Sequence, residues 1–150
     1  MHQQPVSSGV SSTGPIVVDT TVFGARLIKT RAALAKQYQH HVAGREAHIS
    51  FVTEAELRFG ARWAGWGEAR LYRLEAVLAS ADVVLPGPEL IEAYVNLRHQ
   101  CVSSGHGLAQ KEHEADRWVA ATALWMGLPL VAHDGIFKDV PGLQLLTLLA

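Results

Sequence analysis

The strongest constraint on this chain is an alternation. Short, wholly apolar runs are interleaved with longer stretches of helical character. "IVV" at residues 16–18 is followed by "TTVFGARLI", then by a helix expected from Arg31 to about Val42 and ended by Gly44. "HISFVT" at 48–53 reads as a second strand and "EAELRFGARWAG" as the next helix. "EARLYRLEAVLASA" is amphipathic, with Leu71, Leu74 and Leu78 at helical spacing on one face. "DVVLP" reads as a third strand, "PELIEAYVNLRHQCVSSG" as a helix, "ADRWVAATALWMG" as a helix ended by Gly127, "LPLVAH" as a fourth strand and "LQLLTL" as a fifth. Strands separated by helices need crossover connections, which produce a parallel sheet covered on both faces. Continuous apolar runs, without a polar side, are what doubly buried parallel strands require. The expected fold is therefore a three-layer α/β/α sandwich around a central, mostly parallel sheet of four to five strands.

At 150 residues the chain is long enough for one domain with a real core. The opening "MHQQPVSSGVSSTGP" is rich in Ser, Gly and Pro and has no apolar centre. It reads as a flexible tail over residues 1–15, not a secretory signal, ahead of a domain over 16–150. No apolar run approaches membrane-spanning length. A single cysteine, Cys101, excludes a disulfide framework and fits a reducing cytoplasm. The formal net charge of -1 gives no bulk attraction for a polyanion, so any basic contact has to be local.

In parallel sheets, ligands bind beyond the carboxyl ends of the strands. Acids collect at those positions. Asp19 follows "IVV", Glu54 and Glu56 follow "HISFVT", and Asp134 follows "LPLVAH". Asp116 opens the helix that feeds the fourth strand. Each has a structural explanation: a cap at Asp19, a Thr53–Glu56 capping box, a helix-dipole partner at Asp116, and a turn pair at Asp134-Gly135. Together at one rim they would repel, and a divalent cation is the simplest remedy. Carboxylates suit a hard cation such as Mg²⁺, whereas the histidine spacing and lone cysteine do not suit zinc. His113 and His133 read as surface side chains beside turns. Such a cation activates water and clamps phosphate oxygens, as phosphodiester hydrolysis requires. No Gly-rich phosphate loop is present.

Four segments, "VVDTTVF", "SFVTEAELRFGA", "ADRWVAATAL" and "LPLVAHDGIF…VPGLQLL", in this order and spacing, resemble a PIN-domain ribonuclease, in particular the VapC-type toxin of a type II toxin–antitoxin pair. The resemblance covers roughly residues 16 to 149. It implies that Asp19, Glu56, Asp116 and Asp134 are the catalytic acids that hold Mg²⁺ or Mn²⁺. It implies an endoribonuclease that leaves a 5′-phosphate and a 3′-hydroxyl, with Thr20 supporting the first acid. Glu56 is favoured over Glu54 because "TEAEL" matches the family's Thr-x-Ala-Glu-Leu. The chain departs from the pattern at Ala132, where Thr or Ser is usual, and at Ile136, where a further acid is usual; Asp139 lies nearby.

The resemblance also implies a homodimer and an antitoxin seated in a groove between helices. Trp63, Trp66, Leu71 and Tyr72 are the expected antitoxin contacts. Arg26, Arg58, Arg62, Arg117 and Lys138 are the expected RNA contacts, with single-stranded or looped RNA as substrate. The alternative is a catalytically weak PIN-like module that binds RNA or a partner. A phosphotransfer enzyme is disfavoured because Thr21 stands where the haloacid-dehalogenase pattern has a second Asp.

Overall fold

The computed structural model describes residues 13–150. Most of the expected 1–15 tail therefore lies outside the described residues. Five short strands, β1 (Ile16–Val18), β2 (Ala47–Ser50), β3 (Asp82–Val84), β4 (Leu130–Val131) and β5 (Leu145–Leu146), form one sheet in the order β3-β2-β1-β4-β5. Every pairing is parallel. The helices are α1 (Thr20–Gly24), α2 (Ala32–Val42), α3 (Phe51–Trp63), α4 (Glu68–Ala79), α5 (Pro88–Ser104) and α6 (Glu114–Met126). The chain works outward from β1 to β3, then crosses to β4 on the other side of β1. This reversal of direction leaves a crevice at the carboxyl end of β1.

Two apolar cores sandwich the sheet, and the period-2 geometry of the strands feeds both. Ile16, Val18, Ile49 and Val131 join Tyr38, Leu74 and Leu78 on one face. Val17, Leu130 and Ala132 join Leu90, Leu97, Cys101, Val119 and Ala120 on the other. This division explains why β1 and β4 carry no polar side, whereas β2 turns His48 and Ser50 to the face opposite Ala47 and Ile49. The glycine after α6 is a conformational necessity: Gly127 sits at φ 65° and releases the chain into β4.

Several boundaries differ from the sequence reading. The second strand ends at Ser50, not Thr53, because the Ser50 hydroxyl accepts the Val52 N–H at 3.2 Å and starts α3. Ser50 is thus the cap, and Thr53 and Glu56 do not form the expected capping box. The fourth strand is only Leu130–Val131, since a ladder lasts only as long as its neighbours do. On α4, Leu74 and Leu78 are buried, but Leu71 is 42% exposed and leaves the shared apolar face. Among the described residues, no helix is long and apolar enough to cross a membrane.

Candidate functional site

At the crevice beside β1, a cavity of about 310 Å³ is lined by Asp19, Thr20, Thr21, Gly24, Ile28, Arg31, Glu56, Leu57, Asp116, Val119 and Asp134. It therefore collects four acids from four separate segments. Asp19 is delivered by β1: its N–H donates to the Val131 carbonyl at 3.0 Å, continuing the ladder. Its Oδ1 accepts the Val22 N–H at 2.8 Å, which caps α1. Glu56 stands on α3, one turn beyond the buried Thr53. Asp116 lies in the first turn of α6. Asp134 follows β4 and caps the short 3-10 turn Gly135–Phe137, accepting the Ile136 N–H at 3.0 Å.

The acids differ in environment. Asp19 is only 4% exposed, and its carboxyl is pushed up from 3.8 to about 7. Burial is the main cause; hydrogen bonds from the Val22 and His133 backbone oppose it, and the charges of Asp116 and Asp134 add to it. Glu56 is also raised, chiefly by burial and then by Asp116, against a lowering hydrogen bond from Thr20. The acids thus feel one another across the cavity, with an excess of negative charge.

A family model for the PIN domain matches residues 16–143. The chain belongs to the PIN domain family. Solved structures share its fold. VapBC2 from Rickettsia felis, bound to a DNA fragment from its promoter, is 20% identical with a TM-score of 0.72, covering 88% of this chain and 98% of that one. DNA-bound VapBC from Salmonella typhimurium is 19% identical with a TM-score of 0.71, covering 89% and 97%. FitAcB from Neisseria gonorrhoeae is 22% identical with a TM-score of 0.67, covering 87% and 95%. A comparison with curated proteins found no match.

Within this PIN domain, Thr20 does not touch the first acid as expected. Its hydroxyl lies 2.9 Å from Thr53 Oγ1 and donates to Glu56 Oε1 at 3.3 Å, so it steadies the second acid. Gly24 allows this approach: a Cβ there would meet Leu57 Cδ2 at 2.7 Å, so the absence of a side chain lets α1 and α3 come close. Glu54 is turned away from the cavity and held by Arg58 at 2.7 Å.

Two histidines expected at the surface have defined partners. His113 Nδ1 lies 3.0 Å from Asp116 Oδ2. His133 Nδ1 lies 2.7 Å from the buried Tyr38 hydroxyl. That hydroxyl also donates to the Ala132 carbonyl at 3.2 Å and accepts the Leu148 N–H at 2.9 Å. Tyr38 thus ties α2 to the segment that carries Asp134. Its role was not legible in sequence, because its partners lie about a hundred positions downstream.

Of the five expected RNA contacts, the structure contradicts one outright. Arg117 is 2% exposed and cannot meet RNA. It donates to the Leu108 and Gln110 carbonyls at 2.7 Å each and to the Tyr94 hydroxyl at 3.0 Å, pinning the loop before α6. A guanidinium can be buried here because neutral acceptors satisfy its donors. Arg58 bridges Glu54 and Glu75. Arg26 donates to Ser80 at 2.7 Å, and Lys138 donates to the Ala150 carbonyl. Arg62 is exposed on the last turn of α3 and does not line the cavity.

The expected antitoxin residues divide. Trp63 and Tyr72 are 82% and 77% exposed, and Trp63 stacks on the exposed Phe59. Trp66 is half-buried against the core, with Arg70 over its ring. Elsewhere, Glu46, His48 and Asp82 bring three ligand atoms within 4.8 Å of one another, the only such group among the described residues. They lie at the amino ends of β2 and β3, opposite the cavity, and the His48–Asp82 strand pairing accounts for part of that proximity. Among the described residues, no three of the cavity acids bring ligand atoms within that distance of one another.

Proposed function

We propose that this PIN domain is a metal-dependent endoribonuclease and the toxin half of a VapBC-type pair. One observation carries the reading: a single cavity gathers Asp19, Glu56, Asp116 and Asp134 from four segments, with Asp19 buried at its floor and its carboxyl pushed up chiefly by that burial. An all-carboxylate donor set fits Mg²⁺ or Mn²⁺, which keep several waters among few protein ligands. Asp19, Asp116 and Asp134, with Glu56, would hold the ion. When bound, it supplies Lewis acidity to the phosphate and lowers the pKa of a water molecule.

The chain's own residues provide the rest. Asp19 is fixed by the α1 cap and cannot swing away from the cavity. Thr20 and Thr53 orient Glu56, which is left with one carboxylate oxygen free of this hydrogen bond. Tyr38 fixes the Asp134 turn, and the Arg117-braced loop fixes His113 against Asp116. Such preorganisation holds the acids in place before substrate arrives. The likeness to VapBC and FitAB complexes supports an antitoxin partner, for which the exposed Phe59–Trp63 stack and Tyr72 offer aromatic anchors. A homodimer and a cytoplasmic location complete the proposal.

The test is cleavage of single-stranded RNA by purified protein with Mg²⁺ or Mn²⁺, stopped by a chelator. Asp19→Asn, Glu56→Gln and Asp116→Asn each remove most turnover, whereas Glu54→Gln does not. Full activity in chelator refutes the mechanism. RNA binding without cleavage favours the alternative of a catalytically weak binding module, in keeping with Ala132 and Ile136.

A further inference from the structure

We infer that Arg31 takes the RNA phosphate at the carboxylate cavity, as the substrate-contacting cation of the site. The inference rests on the nuclease reading and names its missing basic partner. Four carboxylates cannot by themselves receive a phosphodiester, because anion repels anion. A bound divalent ion offsets only part of that charge, so the site needs a cation aimed at the substrate. Among the described residues, Arg31 is the one cationic side chain that lines the cavity. The five basic residues expected from the sequence to contact RNA are spent or misplaced: Arg117 is buried, Arg58 is doubly paired, Arg26 and Lys138 are bonded elsewhere, and Arg62 lies outside the cavity, as do the exposed Lys29 and Lys111.

Arg31 is also available. Among the described residues, no ion pair or side-chain hydrogen bond engages its guanidinium, although four acids share its cavity. A counter-ion built to neutralise those acids would be paired with one of them. Its backbone, by contrast, is held. The Arg31 N–H donates to the Ile28 carbonyl at 2.9 Å, and the 3-10 turn Lys29–Arg31 leads directly into α2. The preceding Leu27 is buried, and its carbonyl accepts from Arg70 at 3.3 Å. A fixed backbone with a free, exposed guanidinium suits a bidentate grip on two phosphate oxygens. A sequence search by proximity to the acids passes over this residue, because it lies in a connecting turn between α1 and α2.

The experiment compares Arg31→Ala, Arg31→Lys and the control Arg62→Ala in two assays on one labelled single-stranded RNA. The first is cleavage with Mn²⁺. The second is binding by fluorescence anisotropy across a salt series, with Ca²⁺ replacing Mn²⁺ and the RNA checked for intactness. Arg31→Ala lowers kcat/KM by about 10- to 100-fold, the loss expected for a hydrogen bond to a charged group. It also flattens the slope of log affinity against log salt by about 0.7, the signature of one lost single-strand phosphate contact. Arg31→Lys restores the slope but only part of kcat/KM, since lysine lacks the planar fork. Arg62→Ala leaves both readouts near wild type.

If Arg31→Ala matches Arg62→Ala in both assays, Arg31 is a solvated surface charge and the inference is overturned. The same variants are also melted without metal: if Arg31→Ala shifts only that melting temperature and not the salt slope, Arg31 is an internal counter-ion and the inference is again overturned. A wild type that binds RNA but never cleaves it defeats the nuclease reading instead. In that case the salt slope alone decides the phosphate contact, for or against Arg31.

Discussion

Replacing Asp19 by Asn makes the metal-free protein more stable, by an amount that depends on pH. The folded state holds this carboxyl at about 7, against an ordinary 3.8, mainly because it is buried. A proton is therefore bound more tightly in the folded chain than in the unfolded one. Below 3.8 both states are protonated and the carboxyl carries no penalty. As pH rises through 3.8 toward 7, the unfolded chain ionises freely while the folded chain resists, and stability falls. At about 1.36 kcal/mol for each pH unit, the full gap is about 4 kcal/mol once pH exceeds 7. Asn keeps an Oδ1 acceptor for the Val22 N–H, so the α1 cap survives and only the charge is lost. For a chain of this size, that gain raises the melting temperature by about 10 °C near pH 8 and by almost nothing near pH 4.

The assay is thermal and urea unfolding of wild type and Asp19→Asn in chelator at several pH values. Adding Mn²⁺ reverses the ranking in part: wild type gains about 2.7 kcal/mol at a hundredfold excess over Kd, and the variant gains little. If Asp19 acts only as a helix cap, its loss lowers stability slightly at every pH, by about 0.5–1 kcal/mol. A pH-independent difference, or an equal response to Mn²⁺, refutes the reasoning that a buried, uncompensated charge defines this cavity.

Other perturbations separate structural from functional residues. Arg117→Met strands two carbonyls and a tyrosine hydroxyl in the interior; chemical denaturation is expected to show a loss of about 2–4 kcal/mol, with RNA affinity of the folded fraction unchanged. Tyr38→Phe removes a hydroxyl that serves the Ala132–His133 segment and Leu148; unfolding free energy drops by about 1–2 kcal/mol, and turnover falls through a displaced Asp134. Trp63→Ala leaves stability within about 0.5 kcal/mol of wild type, because the ring is exposed, while binding of a cognate antitoxin measured by calorimetry weakens by about 2 kcal/mol. Trp66→Ala melts lower instead, since that ring packs on the core beneath Arg70.

The alternation of apolar runs and helical stretches was enough to specify the parallel three-layer fold, because strands covered on both faces, as β1 and β4 are, must be apolar throughout. The positions of Asp19 and Asp134 just after apolar runs were equally local, since a parallel sheet exposes its strand ends along one edge; Glu56 and Asp116 stand on α3 and α6, and Glu56 was separated from Glu54 by the family pattern. The fates of the basic side chains were not local. Whether an arginine is buried, paired or free depends on groups that packing brings from elsewhere: Tyr94 and two loop carbonyls for Arg117, Glu75 for Arg58, Ser80 for Arg26. The same holds for Thr20, whose hydroxyl lies two helical segments away in sequence from Glu56 yet bonds to it across the α1–α3 contact. Strand ends also depended on tertiary structure, because a ladder stops where its neighbour stops and not where the apolar run does. The sequence by itself determined which acids stand at the sheet edge. Only the tertiary structure decided which cation is left free beside them, because that depends on every long-range partner the others find first.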